Sequence, residues 1–486
     1  MPELSPRRRM LVLAICCMSL LVVGMDATIV NVALPSLRRE LDASVSSLQW
    51  TLDAYTLVLA SFLMLAGSTA DRVGRRRTFQ VGLASFGLGS LLCSLAPTVG
   101  WLIAARALQA VGGTMLNPVA MSIISNTFTD RAERAKAIGV WGGVQGLSLG
   151  LGPIVGGALV DSAGWRSIFW INVPIVIAAI VGTALFVPES RAVRARRFDP
   201  VGQVLVIVVL GSIVYGIIEA PRVGWVSTET LVLAAVAVAA LVALLIYEPR
   251  HTDPLLELRF FRSMPFSGVT VTAVAGFCAY GSFLFLNTLY LQDVRGFSAL
   301  QAGLCTLPIA VLIVVLAPIS GRVVGRWGPR VPLLVAGTGM ALAGLSFTWL
   351  TPHTPLIALL GVYVLFGLGQ GWINPPITNS AVSGMPRSMA GVAASVASTS
   401  RQTGTTLGVA VSGSLVGATL ARGGLPFTEA THTVWWMVFG VGVFVAALGL
   451  VTTGRWALGT ARRAAALFDD FEDPIAVPAR TAPVRS

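Results

Sequence analysis

The chain has 486 residues, of which 55% are hydrophobic and only 12% charged, with a mean hydropathy of +0.79; soluble domains carry about 25% charged residues. A soluble globular protein is thereby excluded, because apolar runs of about 20 residues recur along the chain and no core of this size could hide them all. The net charge of +12 is not gathered into a basic domain, so it speaks against a nucleic-acid partner and for an anionic inner leaflet.

The runs predict about fourteen spans, at 10–33, 48–70, 78–95, 100–127, 135–160, 166–187, 200–218, 230–248, 264–291, 300–324, 331–350, 355–383, 389–421 and 431–453. With a cytoplasmic N-terminus, 26 of the 34 basic residues fall on inner segments, six on outer loops, and Arg106 and Arg401 within spans. This split obeys the positive-inside rule and predicts a multi-pass cell-membrane protein with both termini in the cytoplasm. Arg7–Arg9 followed by an apolar run is similar to a signal peptide. No small-x-small cleavage site follows, so an uncleaved first helix is expected. Arginine outnumbers lysine so strongly that a GC-rich bacterial genome is expected.

An internal repeat organises the spans. Gly67-Ser-Thr-Ala-Asp71-Arg72-Val-Gly74-Arg75-Arg76 follows the second span, and Gly321-Arg-Val-Val-Gly325-Arg326-Trp-Gly328-Pro329-Arg330 follows the tenth. Both loops join the second and third helices of a six-helix unit. The expected plan is an all-α polytopic membrane protein: a tail at 1–9, six helices at 10–190, two inserted helices with linkers at 191–262, six more at 263–453, and a tail at 454–486. The end of that tail, rich in acids and proline, is expected to be disordered.

Between 146 and 157 the fifth span holds Gly146, Gly150, Gly152, Pro153, Gly156 and Gly157. Such a run would ruin a soluble helix. In a membrane it lets helices touch along their backbones, so two helical bodies are expected to meet and move here.

These motifs resemble those of the major facilitator superfamily. The Gly67–Arg76 loop resembles its signature loop, and the 146–157 segment its antiporter motif. Met25-Asp26-Ala-Thr-Ile-Val-Asn31-Val-Ala-Leu-Pro35 resembles the first-helix motif of the fourteen-helix drug/proton antiporter branch. Trp165-Arg-Ser-Ile-Phe-Trp-Ile-Asn172-Val-Pro174 and Arg401-Gln402-Thr-Gly404 match further on, and Ala110 departs from the Gly usual after Gln109 in the fourth helix. The resemblance implies the major facilitator fold, and a conformational latch formed by Gly67, Asp71, Arg72, Gly74, Arg75 and Arg76. The bland alternative for that loop is one that only sets topology.

At 1.5 Å per residue, Asp26 lies roughly 22 Å into a core of about 30 Å. Asp53 and Arg106 fall at the same depth, so Asp26, Asp53 and Arg106 are expected to form a proton-coupling cluster. The alternatives are an interhelical hydrogen bond for Asp26, a solvated helix end for Asp53 and a structural clamp for Arg106. Glu219 reads as a snorkelling end residue. Candidates for a substrate cavity are Asn31, Gln109, Asn117, Gln145, Asn287, Tyr290, Gln370, Asn374, Arg401 and Gln402, although single polar residues in such helices commonly serve as glue.

No cofactor is expected. Lys136 is the only lysine and belongs to no P-loop, while the five cysteines and three histidines lack metal spacing. An ion gradient, most simply of protons, is the expected drive, and a monomer the expected state. Three functions are open: proton-coupled export of drugs or other amphipathic small molecules, cationic ones among them; narrow export of one metabolite, siderophore or self-made antibiotic; and a non-transporting sensor or membrane enzyme, for which no catalytic cluster is visible.

Overall fold

A computed structural model describes residues 5–191, 198–251, 253–383, 389–421 and 426–468. Arg194, Arg196, Arg197, Arg387, Arg422 and the tail beyond Phe468 lie outside the described residues. The first bundle comprises α1 (Pro6–Glu40), α2 (Val45–Val73), α3 (Arg75–Ser94), α4 (Val99–Thr127), α5 (Arg131–Ala163) and α6 (Ser167–Phe186). Two further helices, α7 (Pro200–Val223) and α8 (Thr228–Tyr247), precede a second set. That set is α9 (Met264–Leu289), α10 (Ala299–Trp327), α11 (Arg330–Phe347), α12 (Leu356–Val382), α13 (Ala390–Ala421) and α14 (Phe427–Thr452).

Thirteen of these helices are long and apolar enough to cross a membrane. The fourteenth, α3, has 20 residues and so reaches about 30 Å. Three arginines at its start lower its hydropathy. The spans differ from the sequence prediction chiefly in breaks, which hydropathy cannot register: α6 is interrupted at Ile171, α10 at Thr306, and α9 runs into a π-turn at Tyr290–Val294. The segment after Gly454 holds a helix, α15 (Arg455–Ala465), which hydropathy does not mark. Thr460 Oγ1 accepts from the Met264 amide at 2.9 Å, and Phe468 packs on Phe260, so α15 is docked under the second bundle with Trp456 and Leu458 exposed.

The internal repeat has a backbone counterpart. Gly74 ends α2 and Gly328 ends α10, both with positive φ (124° and 80°), a conformation that costs glycine nothing.

Each bundle has its own helix packing, and α5 joins the two through two faces. Gly152 lies against Met25 and Thr28 of α1, and Gly156 against Ile29 and Val32. On the other face, Gly157 meets the backbone of Ala299 and Leu300, Pro153 meets Gly303, Gly150 meets Ala310 and Gly146 meets Val314, all on α10. Further along that same stripe, Gly143, Gly142 and Gly139 have open space where a side chain would sit. The seam is therefore shut at one end and open toward the arginine-rich loops.

The opposite seam repeats this pattern. Gln49 Nε2 of α2 donates to the Ala410 carbonyl of α13 at 2.8 Å, and Thr406 Oγ1 to Thr56 Oγ1 at 2.8 Å, whereas Gly67 faces open space. At the shut end, Asp161 accepts from the amides of Ala299 and Leu300 at 3.1 and 2.9 Å, which caps α10 across the bundle boundary. Gln292 reaches the Val32 carbonyl at 2.8 Å, and Arg38 stands 3.8 Å from Asp293. The inserted helix α7 lies over the α2–α13 seam: Trp50 Nε1 donates to Glu219 at 3.2 Å, Gln203 to the Ser61 carbonyl at 2.8 Å, and Ser414 to the Ile217 carbonyl. Glu219, at 9% exposure, is thus held between helices, in contrast to the snorkelling role expected of it.

A leucine at position 157 would overlap the α10 backbone, and overpacking of this kind costs about 1–3 kcal/mol. Gly157→Leu should hold the shut end apart, seen as faster labelling of a cysteine introduced at Leu300 by an impermeant maleimide.

Candidate functional site

Asp26 and Arg106 meet in the middle of the first bundle. Both are essentially without solvent exposure (0% and 1%), and Arg106 Nη1 lies 2.5 Å from Asp26 Oδ2. The carboxylate is completed by amides: Gln109 Nε2 donates to Oδ1 at 2.8 Å and Asn172 Nδ2 at 3.2 Å. Ser90 Oγ accepts from the same two amides at 2.8 and 3.3 Å. Arg106 also donates to Gln109 Oε1 at 2.7 Å and to the Thr51 carbonyl at 3.3 Å, with its guanidinium 4.1 Å from the Tyr55 ring centroid. The carboxylate of α1 is thus bonded by side chains of α4 and α6, which α3, through Ser90, and α2, through the Thr51 carbonyl and the Tyr55 ring, hold in turn.

The sequence explains why this can form. Gly89 of α3 lies directly against the backbone of Gln109, so α3 and α4 approach closely enough for Ser90 to reach its amide. Asn172 is brought in by the break at Ile171, which restarts α6 beside Asp26. Paired and saturated in this way, the ion pair offsets its desolvation; with one partner removed, the other is left as an uncompensated charge.

Asp53 stands apart from this pair. It is fully buried on α2; among the described residues it accepts only from Thr56 Oγ1 at 3.4 Å, and its Oδ2 has no hydrogen-bond partner. Thr56 in turn carries the bond to Thr406, so Asp53 sits beside the α2–α13 contact.

The hydrogen bonds of the Gly67–Arg76 loop run within the first bundle. Arg75 bonds Asp71 at 2.8 Å, Arg76 the Ala184 carbonyl at 2.7 Å, and the Arg76 amide donates to Glu189 at 3.1 Å. Arg72 is exposed.

The polar residues expected at a cavity divide into two groups. Gln109 belongs to the Asp26 cluster, Asn287 bonds Tyr363, Tyr290 donates to the Thr351 carbonyl at 2.7 Å, and Gln370 donates to the Gly276 carbonyl at 3.3 Å. Asn31, almost buried, donates to the Thr28 carbonyl at 3.3 Å. Gln109, Asn287, Tyr290 and Gln370 thus bond other segments of their own bundles, whereas Asn31, among the described residues, bonds only its own helix; Asn287 and Tyr290 also line a pocket within the second bundle. Asn117, Gln145 and Gln402 are half-buried, Asn374 is exposed, and Arg401 bonds Asn374 at 3.3 Å. Between the bundles lies a largely apolar cleft, lined by Gly146, Leu149 and Pro153 of α5 and by Tyr280, Phe283 and Ile313 opposite.

Sequence reasoning did not single out Ser90, Asn172 or Tyr55 as partners of the pair. Asn172 left the clearest signal, as a lone amide between apolar residues just before a proline.

Two six-helix bundles around a central cleft, with two inserted helices and a buried Asp–Arg pair, define a polytopic membrane transporter. Residues 16–409 match the Major Facilitator Superfamily, and the chain belongs to that family. It is 37% identical over 415 residues to the multidrug resistance protein Stp of Mycobacterium tuberculosis, covering 85% of this chain and 77% of Stp. It is 38% identical to the tetracenomycin C resistance and export protein of Streptomyces glaucescens (82% and 74% covered), and 37% identical to the puromycin resistance protein pur8 of Streptomyces alboniger (98% and 96%). Among solved structures, a bacterial homologue of the human lysosomal transporter Spinster, inward-facing and unoccupied, superposes with a TM-score of 0.64. It shares 17% identity and covers 97% of this chain and 100% of its own.

Removing one member of the buried pair should cost about 3–5 kcal/mol, and removing both charges far less. Arg106→Ala should therefore melt well below the wild type in detergent, with Asp26→Asn/Arg106→Gln recovering much of the loss; additive losses would contradict a coupled pair.

Proposed function

We propose that this protein is a proton-coupled antiporter that exports amphipathic small molecules from the cytoplasm by alternating access. The observation that carries the reading is a titratable carboxylate, Asp26 of α1, whose counter-charge and hydrogen bonds come from α4 and α6, with Ser90 of α3 and the Thr51 carbonyl of α2 holding those partners in turn. Protonation cancels its charge and removes the reason for Arg106 to stay beside it, so proton occupancy is coupled to the packing of α1 against α4 and α6. The seam that is zipped from Gly157 to Gly146 and open from Gly143 onward supplies the moving contact. By the positive-inside rule the arginine-rich face is cytoplasmic, which makes the described state open to the cytoplasm. The Gly67–Arg76 loop on that face is suited to act as a latch when the open end shuts.

The relatives named for drug resistance and export support small-molecule substrates. Two of them are named for a single antibiotic, which favours, as a second reading, narrow export of one compound. The drive is the proton gradient with no bound cofactor, and the protein works as a monomer in the cell membrane. The exposed Trp456 and Leu458 of α15, beside Arg455, Arg462 and Arg463, suit the anionic inner leaflet.

Cells expressing the protein and loaded with ethidium or dansylglycine should extrude at least one of them. A protonophore should stop that efflux, and Asp26→Asn should abolish it. Efflux that survives the protonophore would overturn proton antiport, and an active Asp26→Asn variant would remove Asp26 from the coupling path.

A further inference from the structure

The second bundle carries one intramembrane charge, and it is positive. Arg401 is the twelfth residue of α13, about 17 Å from the helix end on the arginine-rich face. Among the described residues its guanidinium bonds only neutral oxygens: Ser398 Oγ at 2.7 Å, Asn374 Oδ1 at 3.3 Å and Thr378 Oγ1 at 3.4 Å. Between 263 and 453 the sequence holds just two acidic residues, Asp293 and Glu429, and both lie at the shut end. Across the cleft, Asp26 is already engaged by Arg106. Asp53 is three residues from Thr56, whose partner Thr406 is five residues above Arg401, so it stands roughly 12 Å higher along the bundle axis.

The neighbours of α13 fix the direction in which Arg401 points. Gly404 and Gly408 lie on the backbone of α9 at Val274 and Cys278. Thr406 bonds Thr56 and Gly413 lies on Gln49, both of α2, while Ser414 bonds α7. At 100° per residue, Ser398, Arg401 and Thr405 occupy the sector between α9 and α2, opposite α7. That sector is the interior between the bundles, on the side where the seams stand open. Asn374 and Thr378, which hold the guanidinium from α12, are exposed there.

An arginine at this depth is costly unless it meets water or a counter-charge. Its planar fork is matched to an oxyanion, which it can bind bidentately. We propose that Arg401 recognises an organic oxyanion, a carboxylate or acidic hydroxyl, on the exported molecule, so that the site selects acidic amphiphiles over cations. This deepens the export reading above and rests on it. Asp26, sealed inside its ring of donors, then serves the proton, and Arg401 the substrate. Charge selection and proton coupling are thereby divided between the two bundles.

The test is equilibrium binding of dansylglycine and its neutral amide to the purified full-length protein in detergent, read by dansyl fluorescence. The wild type should prefer the carboxylate by about tenfold or more, as a charge-assisted bond requires. Arg401→Gln should erase the preference, and Arg401→Lys, which keeps the charge but not the fork, should retain part of it. Equal binding of both probes by the wild type, or a preference that survives in Arg401→Gln, would overturn the proposal. Should Arg401→Gln fail to fold, the wild-type ratio and the Arg401→Lys ratio decide alone. Failure of the export reading would look different: the binding preference would stand while cells showed no protonophore-sensitive efflux.

Discussion

Backbone contact along α5 sets the distance between the two halves of this molecule. Lipid tails are as apolar as leucine, so no hydrophobic drive pulls one bundle onto the other, and close packing has to do it. Glycine permits that packing because its surface is backbone. At Gly157 and Gly303 the opposing helix is met at its carbonyls, which leaves no room for a Cβ on either side. Further along the stripe the facing side chains are small, Ala310 filling Gly150 and Val314 filling Gly146. The Asp161 cap on α10 adds polar hold at one end only. A seam that is strong at one end and weak along its length suits a pivot.

Charge is arranged to complement this seam. The first bundle encloses Asp26 and Arg106 together, and the pair is invisible to the cleft. The second bundle has a base with no acid to match it. A molecule entering the cleft therefore meets a positive group on one wall and a neutral surface on the other. The two bundles carry the same sequence repeat, with Gly74 and Gly328 both at positive φ, yet their electrostatics differ.

Much of this was legible in the sequence, for physical reasons. Apolar length reports spans because the bilayer demands it. Asp26 and Arg106 stood out because ions are rare at such depth. What stayed hidden depended on neighbours. Ser90 and Asn172 are ordinary polar residues in apolar helices until Gly89 and the break at Ile171 bring them to one carboxylate. Gln109 was legible as a polar residue in a span, yet only the fold shows that it turns inward. Asp53 matches Asp26 in depth but faces another helix, and depth carries no angle. α15 escaped notice because an amphipathic helix of 11 residues is too short to register as a span.

The placement of α7 makes the protein's outline in the bilayer lopsided. On the α2–α13 side, a third helix, backed by α8, covers the junction of the bundles. On the α5–α10 side the junction is two helices deep, with unfilled space beside Gly139, Gly142 and Gly143. A lipid-dissolved molecule drifting in the leaflet on the arginine-rich side would find a wall at one flank and a slot at the other.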